Sequence, residues 1–302
     1  MAGIELELVE WLRAQQREHP AVRLGIGDDM AVVESPSGLL LISSDMLLDG
    51  VHFDRSRHSL RQIGRKAIAC SLSDCAAMAV RPLVATVSVA LSGERGMADA
   101  QELYGGMLAV AEEYQLAIVG GDTTRWGHRL AIDVAIAATP YEGIEPVTRS
   151  GAKPGDNLYV TGPLGGSLLG RHLGFTPRVH EARALADQFG DRLHAMIDIS
   201  DGLGLDLWRM CEASKAGATL DEHQLEAVIS DDAGRAAAAD GRTPLEHALG
   251  DGEDFELLLA VAGDVGRPGV SLYPVGQVTE TGLTIRRTDG RIEQLKPRGW
   301  VH

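Results

Sequence analysis

The sequence predicts a two-domain α/β protein, and three observations predict it. Apolar runs of strand length alternate with segments of helical spacing along most of the chain, the pattern of α/β folds. The alternation halts at "PYEGIEPVTRSGAKPGD" (140–156), where Pro and Gly accumulate as at a domain junction. At 302 residues the chain is also long for one hydrophobic core. The expected domains are therefore residues 1–145 and 146–302.

Taken in order, residues 4–18 read as an amphipathic helix with Ile4, Leu8, Trp11 and Leu12 on one face. "GLLLISSDML" (38–47) reads as a strand ending in polar residues, and 59–80 has helical spacing through Ile63, Ala67 and Ile68. A strand at 82–91, a helix at 97–115 and strands at 116–122 and 130–139 complete the first half. The second half opens with strand 157–162 and a helix-rich stretch to about 194. Strand 195–200 and helix 203–217 follow, with Gly217 as the expected C-cap. Strands at 255–261, 271–278 and 283–287 close the chain. Residues 230–250 are rich in Ala and Asp and give no periodic signal.

A composition of 44% hydrophobic and 24% charged residues is that of an ordinary globular protein. The net charge of −15 argues against a general nucleic-acid binder, which needs Lys and Arg to neutralise phosphates. A small polyanionic substrate stays compatible if cations mediate the contact. Cys70, Cys75 and Cys211 form neither a disulfide framework nor a C-x-x-C pair; the first two read as buried thiols. The start "MAGIELELVEWL" has no basic n-region, and no apolar run approaches the roughly 20 residues that span a bilayer. A cytoplasmic location without membrane contact is expected.

The acids carry the chemistry. "GIGDD" (25–29), "ISSD" (42–45), "SLSD" (71–74), "VGGD" (119–122), "DISD" (198–201) and "GDGED" (250–254) all border apolar segments. At any one position, Asp beside Gly or Ser reads simply as a turn or a helix cap. Repeated along the chain, that reading is strained, because ligands of open α/β sheets bind outside the carboxyl ends of strands. In "AMIDISDGLGLDL" (195–207), Asp198, Ser200 and Asp201 crowd the end of an apparently buried strand. Carboxylates there repel each other and resist desolvation unless something compensates them. Carboxylates with hydroxyls suit hard divalent cations, above all Mg²⁺, which shares its shell with substrate phosphates. Phosphoryl transfer needs such an arrangement.

Other nucleotide and hydrolase signatures are missing. The sequence has no G-x-x-x-x-G-K-[ST], no H-E-x-x-H, no G-x-S-x-G and no kinase H-R-D with D-F-G. "GIGDDM" offers two glycines of a dinucleotide fingerprint but places Met30 third and acids where a pyrophosphate would lie. The ten histidines lack zinc-ligand spacing.

With these motifs in view, "GIGDD", "SSDMLLDGVHF", "KAIACSLSDCAAMAVRP", "GGDTTR", "TRSGAKPGD", "MIDISDGLGLDL" and "GEDFEL" resemble, in this order, those of the thiamine-monophosphate kinases. That family sits in the superfamily of aminoimidazole-ribotide synthetase, selenophosphate synthetase and a hydrogenase maturation factor. The motifs run from about residue 25 to 255. The resemblance implies a PurM-like architecture, with an N-terminal mixed sheet that forms a barrel shared across a homodimer and a C-terminal α/β domain. It implies the last step of thiamine diphosphate synthesis: direct, in-line transfer of the γ-phosphoryl group of ATP to thiamine monophosphate, with several Mg²⁺ ions and no acid–base residue or phospho-enzyme. An acceptor phosphate oxygen is already anionic near neutral pH, which suits that chemistry.

Carried over by position, the resemblance implies metal ligation by Asp29, Ser43, Ser44, Asp45, Asp74, Asp122, Asp198 and Asp201. Asp28 is either a ligand or a neighbour of one. ATP contacts would come from Tyr104, Gly121, Asp122, Arg149 and Ser200; Arg149 offers a guanidinium fork, while Tyr104 could equally pack in the core. Contacts to the acceptor would come from His52, Glu253 and Trp300. Lys66 and Arg125 are phosphate neighbours on charge alone, and both read better as solvated. Ser44 replaces the usual Thr, Phe255 the usual Tyr, and 221–250 matches nothing in the family. The alternatives are another ATP-dependent member of the superfamily, a non-catalytic nucleotide or thiamine-phosphate sensor, and an acidic structural protein whose aspartates do not converge.

Overall fold

Two mixed sheets organise the chain. The computed structural model describes Trp11 and residues 20–36, 38–92, 96–266 and 268–300; most of the expected helix at 4–18 lies outside them. Strands β1 (Val22–Leu24), β2 (Ala31–Ser35), β3 (Gly38–Leu48), β4 (Val80–Ser92), β5 (Ala117–Trp126) and β6 (Ala131–Pro140) form one sheet in the order β1-β2-β3-β6-β4-β5. Its pairs are antiparallel except β4 with β5. Along β6 the side chains of Ile132, Val134, Ile136 and Ala138 are buried and those between them are not. One face of this sheet therefore meets the core.

The second sheet contains β7 (Asn157–Val160), β8 (Leu193–Asp198), β9 (Gly217–Asp221), β10 (Leu257–Val261), β11 (Tyr273–Thr279), β12 (Leu283–Arg286) and β13 (Ile292–Gln294), in the order β13-β12-β9-β11-β7-β10-β8. Here β12 and β9 are the parallel pair. The central β10, "LLLAV", is buried along its whole length, as a strand covered on both faces must be.

Helix α1 (Leu60–Ala77) is the spine between the halves. Its start is fixed by a capping box in which Ser59 accepts from Gln62 N and the Gln62 side chain accepts from Ser59 N. Ile63, Ile68 and Leu72 are fully buried, each worth about 2 kcal/mol of transfer free energy. Helix α2 (Met97–Glu113) approaches α1 backbone to backbone. A Cβ on Gly64 would lie 2.0 Å from Leu103 O, and one on Gly106 2.0 Å from Arg61 O, so neither position tolerates alanine without separating the helices. On its other sides α1 meets β3, β6, β8 and α3 (Val179–Phe189). One apolar cluster accordingly mixes Ile68 and Leu72 with Val179, Leu185, Met196 and Leu257.

Within the described residues the expected elements are present with ends shifted by a few residues, β3, β4 and β5 running longer and β7, β10 and α2 shorter, and four short strands (β1, β2, β9, β13) are additions. One expectation is corrected: Gly217 does not cap the helix after β8. That helix, α4 (Leu203–Ser214), ends at Lys215 in the left-handed conformation, and Gly217 begins β9. Gly217 is there for closeness, since a Cβ would meet Thr281 C at 2.2 Å. The stretch without periodic signal folds as α6 (Asp231–Asp240) and α7 (Pro244–Gly250), and the short α5 (Glu222–Leu225) precedes it. Among the described residues no helix is long and apolar enough to cross a membrane.

Candidate active site

Three elements and one turn deliver carboxylates to one point. The pleat of β3 turns Ser43 and Asp45, two residues apart, to the same side. Asp74 sits in the last turn of α1, where the helix dipole disfavours a negative charge. β8 ends at Asp198, and the turn before β2 supplies Asp28 and Asp29. Carboxylate oxygens of Asp29, Asp74 and Asp198 all lie within 4.8 Å of one another. A cavity of about 700 Å³ opens over them and is also lined by Asp45, Ser200 and Asp201.

Little inside the protein offsets this charge. Ser71 Oγ donates to Asp45 at 2.8 Å and Ser73 Oγ to Asp198 at 2.6 Å. Arg149 Nη2 donates to Asp29 at 2.7 Å, and its backbone N–H to Asp28. Burial, followed by repulsion from Asp45 and Asp198, pushes the Asp74 carboxyl well up. Burial and the Asp29 charge do the same to Asp198. Asp45 is raised chiefly by burial, and Asp28 is raised to about 6 by burial and Asp29 against the pull of Arg149. Asp29 Oδ2 is buried with no hydrogen-bond partner. Ser43 Oγ lies close enough to Asp74 to lower its carboxyl slightly, yet makes no well-formed hydrogen bond. Converging carboxylates, an orphaned buried oxygen and a buried hydroxyl form a donor set fit for hard divalent cations.

The remaining residues singled out in the sequence are placed as follows. The Ser44 hydroxyl donates to Asp133 at 2.9 Å, although the residue lines the same cavity. Asp201 is held by Arg209, which also pairs with Asp206 at 2.8 Å. The dipeptide Ser200–Asp201 carries two further candidates on its backbone: Glu253 N donates to Ser200 O at 2.6 Å and Trp300 N to Asp201 O at 2.8 Å. His52 lines a second cavity, of about 610 Å³, with His58 and His172. Tyr104 packs half-buried on the core side of α2. Gly121 and Asp122 lie on β5, an exposed edge strand, outside the lining of both cavities. Gly121 has φ +146°, and a Cβ would lie 1.8 Å from Val87 O, so β5 can pass β4 there only as glycine.

Two readings made on charge alone separate. Arg125 is exposed on β5, in keeping with a solvated side chain. Lys66 is not solvated: its side chain is fully buried, ion-paired with Glu253 and hydrogen-bonded to His52 O at 2.6 Å. Phe255, 6% exposed, stacks on Phe175 with ring centroids 4.1 Å apart. Sequence reasoning passed over Ser71, Ser73, Asp206 and Arg209. Helical spacing could have found Arg209, one turn past Asp206.

Known proteins resemble this chain over nearly its whole length. Residues 27–140 match the family model described as AIR synthase related protein, N-terminal domain. A thiamine-monophosphate kinase of Rhodopirellula baltica is 42% identical over 99% of this chain and 97% of its own length. Among solved structures, AaThiL complexed with AMPPCP and TMP superposes with a TM-score of 0.85 at 28% identity, covering 99% of this chain and 97% of that one. Thiamine monophosphate kinase from Aquifex aeolicus gives a TM-score of 0.78 at 25% identity, covering 95% and 97%.

Proposed function

The chain belongs to the thiamine-monophosphate kinase family and phosphorylates thiamine monophosphate to thiamine diphosphate with ATP as co-substrate, and we propose that it does so by direct in-line transfer at the aspartate cluster. The observation that carries the site is the convergence of Asp29, Asp74 and Asp198 within 4.8 Å. Asp29, Ser43, Ser44, Asp45, Asp74, Asp122, Asp198 and Asp201 would hold Mg²⁺ ions. When bound, these would neutralise the polyphosphate and the charge that develops during transfer.

The chain's own residues then position the reactants. Arg149, anchored to Asp29, presents a guanidinium at the cavity wall where it can fork a phosphate of ATP. Ser200, Tyr104 and the Gly121–Asp122 segment of β5 complete the ATP contacts. His52, Glu253 and Trp300 hold the acceptor, with the Trp300 ring suited to face a cationic thiazolium. No side chain is needed as a general base, because the attacking phosphate oxygen is already ionised. Loss of the acceptor's bond-forming geometry, not of a proton carrier, is therefore what a damaged site would show.

The chains pair, in this proposal, along β5 into a barrel shared by a homodimer. In support, β5 is a ten-residue edge strand that leaves Val119 and Trp126 exposed, an edge that monomers ordinarily protect. Pairing would also bring Asp122 and Gly121 into an enclosed setting. The domain boundary falls near residues 145 and 146, within the segment between β6 and β7 that lacks strand or helix. Free thiols at all three cysteines suit a reducing cytoplasm.

The test is incubation with ATP and Mg²⁺ and either thiamine or thiamine monophosphate, with products separated chromatographically. Thiamine diphosphate and ADP from the monophosphate alone are expected. A phosphorylated protein that forms without acceptor would overturn direct transfer.

A further inference from the structure

Lys66 heads the fully buried side chains of the described residues, at 0% exposure. Burying an ammonium is costly, and a methionine would fill the same volume without the desolvation. Its position explains what it does. It lies on α1 eight residues before Asp74, about 12 Å along the helix, and the carbonyl it binds belongs to His52, which lines the second cavity. Its Nζ is ion-paired with the Glu253 carboxylate and donates to the carbonyl of His52 at 2.6 Å. Glu253 comes from the C-terminal half and His52 from the N-terminal half, so one ammonium joins the two halves.

Both partners need holding. Glu253 has φ +59°, a region uncommon for a residue with a Cβ, and persists there only if its surroundings enforce it. The His52 ring is oriented by its Nδ1, which accepts from Leu48 N at 3.0 Å, and the carbonyl of the same residue accepts from Lys66 Nζ. Lys66 itself has no exposed surface with which to touch a substrate.

We propose that Lys66 is a positioning residue for the acceptor: it fixes Glu253 and the His52 loop relative to each other and thereby sets affinity for the thiamine moiety, not for ATP. This rests on His52 and Glu253 belonging to the acceptor pocket, as proposed above. Because Lys66 acts through Glu253, its removal costs little once Glu253 has already lost its charge.

The experiment is a double-mutant cycle on the full chain, with Lys66→Met, Glu253→Gln and the pair, alongside Lys66→Arg. KM is measured separately for thiamine monophosphate and for ATP, and thermal melting is recorded for each variant. Lys66→Met should raise KM for thiamine monophosphate about tenfold while that for ATP stays within about twofold. In the Glu253→Gln background the same change should add no more than about twofold, and Lys66→Arg should recover part of the loss. An unchanged acceptor KM in Lys66→Met, equal effects on both substrates, or effects that multiply in the pair would each overturn the proposal. If Lys66→Met does not fold, Lys66→Arg carries the test through the same split between substrates. Should Glu253→Gln alone leave the acceptor KM unchanged, the pocket reading itself fails, whatever Lys66 does.

Discussion

Carboxylates are buried in two groups in this molecule, and their surroundings treat the two groups in opposite ways. Glu256 receives a bidentate fork from Arg178, at 2.8 and 2.7 Å, and a third hydrogen bond from Thr161 at 2.6 Å. Asp254 accepts from Arg171 at 2.7 Å, from Gly165 N at 3.0 Å and from the Ser167 hydroxyl. Asp206 accepts from two backbone amides at 3.0 Å and from Arg209. Burial still raises Asp254 and Asp206 to about 7, but every one of these carboxylates has its arginine. In the cluster of Asp29, Asp45, Asp74 and Asp198, Arg149 is the one arginine or lysine paired with any of them among the described residues. The first group is complete as folded. The second has no such partner apart from Arg149 and would be completed by cations from outside, and that difference marks the site better than the number of acids does.

The sharpest way to break the comparison is to neutralise one member of each group. Asp198→Asn should lower turnover about 10³-fold, roughly 4 kcal/mol of transition-state stabilisation. Without metal, its melting temperature should not fall, because the change relieves repulsion. A lowered melting temperature with intact turnover would put Asp198 in the structural group. Arg178→Met should do the reverse. It leaves Glu256 buried without its cation, which costs about 3 kcal/mol, the lower end for a broken buried pair, or about 6 °C of melting temperature in a chain of this size. The Michaelis constants of the protein that stays folded should be unchanged. A shift in either constant would bring Arg178 into the substrate site.

Mg²⁺ itself sharpens the contrast without any assay of activity. A ligand that binds only the folded state at a hundred times its dissociation constant stabilises it by about 2.7 kcal/mol. Melting of the wild-type protein should rise with Mg²⁺, Asp74→Asn should lose most of that rise, and Arg178→Met should keep it. A rise that Asp74→Asn retains in full would move the cation elsewhere.

Much of this was legible in the sequence, and the reasons are local. Strand β3 announces itself because "GLLLISSDML" joins an apolar run to polar residues, and the acids at strand ends follow from the same reading. The short strands were not legible: β1, three residues long and exposed at two of them, has too little alternation to stand out. Helix α7 could have been read, since Thr243, Pro244 and Glu246 form a capping box with proline in the first turn. Which acids act together was legible only through the family resemblance, not from the spacing of the residues. Asp201 and Asp206 look alike in "ISDGLGLDL"; the fold lets both line the cavity and makes Asp206, which accepts from Asp201 N and Gly202 N, the anchor of the loop. Lys66 was read as solvated because lysines usually are; a partner 187 positions along the chain, Glu253, leaves no local trace.

The smallest expected effect concerns a buried group whose neighbour is a cation instead of an acid. His172 is buried; its Nδ1 faces Ser167 O at 2.9 Å and its ring meets that of His58 edge-on at 5.5 Å. Burial, and after it the charge of Lys66, lowers His172 to about 4, and His58 adds to the same shift. The folded state therefore holds the ring neutral, and the sign of the pH dependence follows. Between pH 6.5 and 4 the unfolded chain binds the proton that the folded one refuses, so stability is lost as the pH falls. From pH 7 to pH 5 the loss is about 2 kcal/mol for a shift of this size. His172→Gln, which keeps a donor but cannot titrate, should flatten the acid side of the melting profile between those two pH values. It should leave the effect of Mg²⁺ untouched, since the ring lines the cavity of His52 and not that of the aspartates. An acid side as steep in the variant as in the wild type would assign the loss to other groups, and His172 would then be a neutral core residue with no part in the pH response.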